Sequence, residues 1–107
     1  MNLCDGTAAV EYPTHGRDVG CLVIGAADGD DWAWDELVAR FTGLISSVTV
    51  AHRLNEADAL RVSATVWRRL GRNLGRIRRP DRVGAWLNAV ARDECVKALA
   101  TAERTAR

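Results

Sequence analysis

Seven arginines, Arg68, Arg69, Arg72, Arg76, Arg78, Arg79 and Arg82, fall within fifteen residues, four of them in the run Arg76-Ile77-Arg78-Arg79-Pro80-Asp81-Arg82. A guanidinium keeps its charge at any physiological pH and presents a planar fork of donors, so a cluster of this kind can neutralise phosphates from several directions. The competing reading is a solvated helix face, which suits arginines at scattered spacing. Four around one proline are harder to leave uncompensated, and contact with nucleic acid is the stronger reading.

The charge of the chain is arranged to match. Residues 1–60 hold three arginines against ten carboxylates, a balance of −7, and residues 61–107 hold eleven arginines and Lys97 against four carboxylates, +8. Such asymmetry fits a polyanion-binding half, and equally two halves that attract one another. Four of the six aromatic residues are tryptophans, a type that stacks on unpaired bases when exposed beside arginine. Trp34, Trp67 and Trp86, however, fall on apolar helical stripes and read mainly as core, with Trp32 the less clear case.

Other chemistry is poorly provided for. His15 and His52 accompany no Ser or Cys nucleophile in a recognisable elbow and no paired carboxylates in an apolar setting, so no catalytic residue is named. Neither GxGxxG nor GxxxxGK occurs, which leaves no phosphate-cradling loop and no cofactor. Cys4, Cys21 and Cys95 have no metal-ligand rhythm and too few histidines to complete one, and they read as reduced thiols, Cys95 as a small buried hydrophobe. With no signal peptide and no membrane span, the chain is expected to be soluble and cytoplasmic, without a membrane partner.

The elements that must position these residues are helical. The chain has 107 residues, two prolines, one Tyr and one Phe, amid plentiful Ala, Leu, Val and Arg. That length and composition fit one all-α domain, a compact bundle of three to four helices. Residues 1–17 lack periodicity and read as a flexible tail. Val19, Leu22, Val23 and Ala26 predict a short helix from Asp18 to Ala27 that Gly29 closes. Asp30 and Asp31 offer an N-cap to a long helix carrying Trp34, Leu37, Val38, Phe41, Leu44, Ile45, Val48 and Ala51. Asn55 and Asp58 form a capping pair for a second long helix, with Leu60, Val66, Trp67, Leu70 and Leu74 on its stripe, running to about Gly75. Pro80 then forces a loop. Val83, Trp86, Leu87, Val90, Ala91 and Leu99 mark a third long helix, so the domain spans 18–100 and residues 101–107 read as the start of an interdomain linker.

The segments Thr65-Val66-Trp67-Arg68-Arg69-Leu70 and Gly75-Arg76-Ile77-Arg78-Arg79-Pro80-Asp81-Arg82-Val83-Gly84-Ala85-Trp86-Leu87, with Ala91-Arg92-Asp93-Glu94-Cys95 beyond them, resemble region 2 of extracytoplasmic-function RNA polymerase sigma factors of actinobacterial type. The likeness spans about residues 18–104, and the order of the motifs carries it. It implies a helical region 2 that acts in transcription initiation, binding core RNA polymerase and recognising and melting the minus-ten promoter element. Carried over by position, Arg61, Ala64, Thr65, Arg68 and Arg72 would face the polymerase clamp. Arg76, Arg78, Arg79 and Arg82 would hold the unpaired promoter strand, and Asn88, Arg92, Asp93 and Lys97 would reach base edges. An anti-sigma protein is a further partner that the resemblance admits.

Two departures accompany the resemblance. Relatives usually carry Asp and Gln where this chain has Arg61 and Ala64; reversing a charge at an interface can cost several kcal/mol. The alternative is therefore a sigma-like domain with weakened polymerase docking that serves as a protein-interaction or regulatory module. The family's C-terminal helix-turn-helix domain also has no counterpart here, which favours an excised fragment over a short natural protein.

Overall fold

The computed structural model describes the backbone of residues 18–106 and the side chains of residues 18–104; the tail read at residues 1–17 lies outside the described residues. Four helices follow in order: α1 (Val19–Ala27), α2 (Asp31–Ala51), α3 (Glu56–Asn73) and α4 (Val83–Ala106). The turns Leu74–Arg76 and Pro80–Arg82, both 3-10, lie between α3 and α4. The described residues contain no strand, and the fold is the all-α bundle expected.

Each of the first three helices starts where a short polar side chain replaces the missing intrahelical acceptor. Asp18 accepts from the Gly20 N–H at 3.1 Å, Asp30 from those of Trp32 and Ala33 at 3.0 and 3.3 Å, and Asn55 from that of Asp58 at 2.8 Å. A cap of this kind stabilises by about 1 kcal/mol. Asp30 is the cap, and Asp31 stands in the first turn, where its charge favours the helix dipole. Between α1 and α2, Gly29 takes a φ of 92°, which a side chain resists, and between α2 and α3 Arg53 takes 56°.

The core is one cluster to which all four helices contribute: Leu22 and Val23 from α1, Leu37 and Ile45 from α2, Val62, Val66 and Leu70 from α3, and Val83, Leu87, Val90, Ala91 and Cys95 from α4. Trp34, Trp67 and Trp86 pack against it half-buried, as their spacing foretold. Trp34 and Trp67 meet edge to face across α2 and α3, with ring centroids 6.0 Å apart. The first turn of α4 lies tight on α2: a Cβ at Gly84 would stand 3.0 Å from Phe41 Cε1, so only a hydrogen fits there without displacing the ring.

The stripes were misread at their ends. Leu60 and Leu99 are 65% and 42% exposed: Leu60 lies near the start of α3, and Leu99 lies on the outer face of α4 with Ala85, Ala89, Arg92 and Val96, away from the faces that meet. α4 continues through Thr101–Ala106, the segment where polarity suggested a linker; it contains neither Gly nor Pro to stop a helix. Cys95 is a free, fully buried thiol, and burial first, then the charge of Glu94, pushes its pKa up. It is therefore held in the unreactive protonated form. Cys21 departs from the expectation of three reduced thiols: it is disulfide-bonded. Spacing along the chain says nothing about which cysteines the fold brings within bonding range.

Candidate nucleic-acid and partner interface

On α3, Arg61, Ala64, Thr65, Arg68 and Arg72 occupy about 100° of arc at 100° per residue, facing away from Val62, Val66 and Leu70. Four of them are exposed and Thr65 is half-buried. The residues assigned to one partner thus share one face. Arg61 leans toward Asp58, 3.8 Å away, with its side chain 80% exposed. Arg68 and Arg72 make no ion pair among the described residues.

The connector that follows is a short arch pinned at both sides. Ile77 and Leu74 pack on the core, and the Arg82 N–H donates to the Arg79 carbonyl at 2.8 Å. The turn at Pro80–Arg82 rests on α1, where a Cβ added at Gly20 would touch the Asp81 backbone nitrogen at 3.5 Å. The apolar side of the loop faces inward, so its four arginines must point out, and Arg76, Arg78, Arg79 and Arg82 are all exposed. Arg79 approaches Asp81 at 3.7 Å; the other three have no carboxylate partner among the described residues. Several positive charges close together on a supported loop repel one another unless an anion arrives, and that arrangement suits a polyanion.

The four polar residues expected on α4 do not act together. Asp93 and Lys97 face α3, where Arg69 Nη1 donates to Glu94 Oε2 at 2.7 Å and to Asp93 Oδ2 at 3.4 Å. Lys97 Nζ lies 3.2 Å from Asp93 Oδ2 and 3.5 Å from Glu94 Oε2. Asn88 and Arg92 each stand five residues earlier, hence about 140° away around the helix, half-buried and exposed respectively. Arg69, counted at first with the basic cluster, is a bridge between helices. Its partners lie 24 and 25 positions downstream, beyond any local pattern. Beside this network runs an open groove of about 560 Å³, whose walls include Arg61, Val62 and Thr65 of α3 and Lys97, Ala98 and Thr101 of α4. Sequence reasoning named Lys97 on the α4 wall but missed Ala98 and Thr101, which carry no charge or aromatic signal.

The network sets a pH dependence. Lys97, by hydrogen bond and then by charge, holds the Asp93 carboxyl below its usual 3.8, with Arg69 assisting. The hydrogen bond to Asp93, then the charge of Glu94, raises Lys97 above 10.5. A lowered acid contributes stability above its unfolded pKa and loses it as pH falls through the folded value; a raised base loses its contribution as pH climbs past its folded value. We expect thermal melts of the wild type to drop between about pH 5 and pH 3, and Asp93→Asn to flatten that part of the fall. Equal acid limbs in the two proteins would count against the network.

Among the described residues, no group of three or more His, Cys, Asp or Glu side chains is placed to hold a metal ion, and no helix is long and apolar enough to cross a membrane. No protein family, curated protein or solved structure matches the chain.

Proposed function

We propose that this chain is a promoter-binding domain of sigma-factor type, which docks core RNA polymerase through α3 and holds the unpaired minus-ten strand with the arginine arch and the adjoining face of α4. The observation that carries the reading is the exposed arch Arg76–Arg82, braced against α1 and the core. It follows directly from a helix whose Arg61, Thr65, Arg68 and Arg72 share one free face. Phosphates would neutralise the arch, and Asn88 and Arg92 lie on the strand-facing side of α4 in this assignment. Asp93 reaches bases only by giving up its pairing with Arg69 and Lys97, and Lys97 only by giving up Asp93 and Glu94. Strand opening then needs no bond-making chemistry: a surface that binds the unpaired strand better than the duplex shifts the equilibrium toward melting.

A pull-down with core RNA polymerase tests the docking half. The double variant Arg68→Glu/Arg72→Glu should lose at least about tenfold in polymerase affinity, since each reversal turns attraction into repulsion at a contact. The assembly should then prefer a fluorescent single-stranded minus-ten oligonucleotide over a scrambled one. Arg61 favours a second reading, because a highly exposed base stands where relatives carry an acid. A chain that fails to bind polymerase in its wild-type form is the regulatory module with weakened docking.

A further inference from the structure

The outer face of α4 carries a pattern that neither the core nor the strand-binding set explains. Ala85, Ala89, Arg92, Val96, Leu99 and Glu103 recur at alternating steps of four and three residues, and all six are exposed. That is the spacing of a coiled-coil seam. Val96 and Leu99 are the largest apolar members, 59% and 42% exposed, and no other helix among the described residues covers them. Arg92 and Glu103 have no ion-pair partner among the described residues.

The seam is complementary to itself in one orientation. If two copies of α4 run antiparallel with their dyad between Lys97 and Ala98, Val96 of each copy faces Leu99 of the other. The same operation sets Arg92 of each against Glu103 of the other, and Ala89 near the end lets the backbones approach. A parallel pairing in register would instead set Arg92 against Arg92 and Glu103 against Glu103, which repels. We infer that α4 forms an antiparallel helix pair with a second copy of this chain, through Val96 and Leu99 at its centre and two Arg92–Glu103 pairs flanking them.

The paired stretch from Arg92 to Glu103 is about 17 Å long and holds few large side chains, so the association is of the weak, concentration-dependent kind rather than an obligate dimer. The two-fold closes, so assembly stops at two. The inference stands apart from the polymerase reading, because it uses neither the α3 face nor the arch. It touches that reading at one point, since pairing withdraws Arg92 from the strand-binding set.

Sedimentation equilibrium of the full chain, taken up to about 1 mM so that millimolar dissociation constants are detected, tests it. The wild type should dimerise, and Leu99→Asp should raise the dissociation constant at least about tenfold by placing a charge at the apolar centre. Arg92→Glu and Glu103→Arg should each weaken the dimer about threefold to tenfold, and the double exchange should restore it, because opposite charges again meet. All three positions are on the surface, and circular dichroism checks that the variants keep their helix. A monomer at the highest concentration, a dimer indifferent to Leu99→Asp, or single charge changes that the double exchange fails to rescue each overturns the inference.

Discussion

Replacing Arg76, Arg78, Arg79 and Arg82 together by alanine is expected to weaken single-stranded DNA binding roughly a hundredfold at about 0.1 M salt and to remove most of its salt dependence. On single strands each neutralised phosphate contributes about 0.7 to the slope of log affinity against log salt. Arg79 is partly occupied by Asp81, so three to four contacts give a slope of about 2 to 3 in the wild type. Three such contacts correspond to the hundredfold loss. The fold should survive, because Ile77 and Leu74 anchor the arch from its apolar side and none of the four guanidinium groups reaches into the core. Fluorescence anisotropy at four salt concentrations reads both quantities. Minus-ten and scrambled oligonucleotides should lose affinity alike, since phosphate contacts carry no sequence information, whereas Arg92→Ala should affect some sequences more than others. A slope unchanged in the quadruple variant sinks the assignment of the arch to phosphate.

How far this surface could be read from sequence depends on the range of the interactions that build it. Helix starts were legible because capping is local: Asp30 and Asn55 act on backbone groups within three residues. The arch was legible because Pro80 bars a continuous helix across it, although α3 already ends at Asn73, and because arginines are polar, so their exposure follows once any core forms. The central parts of the stripes were legible too, as with Leu37, Val66, Leu70 and Leu87, where spacing alone selects the buried face. Leu60 shares the face of Trp67 but falls in the first turns of α3, where neighbouring helices no longer cover it, and Leu99 lies on the side of α4 turned away from Val83, Leu87 and Val90, which only the packing of α4 against its neighbours decides.

The α4 residues show the sharper limit. Asn88, Arg92, Asp93 and Lys97 look alike as polar positions on one helix, yet five-residue steps separate them into two faces. Asp93 is held by Arg69, 24 positions upstream, and Lys97 joins the same network through its local pairs with Asp93 and Glu94. The resemblance to sigma factors placed these residues by order, and order does not distinguish an interhelix ion pair from a free base-reading group. The same holds for the groove, whose α4 wall of Ala98 and Thr101 becomes visible only when α3 lies beside it.

The substitution with the largest expected effect on the fold is Leu87→Ala. Leu87 is fully buried on the helix that carries Asn88 and Arg92, four residues after Val83, which ends the arch. It belongs to the cluster to which α1, α2 and α3 all contribute. Truncation there removes burial and leaves a cavity that four helices can only partly close, at a cost of about 2 to 5 kcal/mol. Against a total stability of about 5 to 15 kcal/mol for a domain of this size, that is a large share, and the melting midpoint should fall by about 10 °C or more. Leu60→Ala provides the contrast: the same atoms leave a site that is 65% exposed, and its effect should stay within about 0.5 kcal/mol. Urea unfolding of both variants separates the cases, with an unchanged m-value showing that stability and not the denatured state has moved. Similar losses at both positions would mean that the buried cluster is not what holds α4 in place. Because the arginines of the arch lie outside that cluster, strand affinity per folded molecule should change little in Leu87→Ala while the folded fraction drops on warming, which separates a damaged bundle from a damaged binding surface.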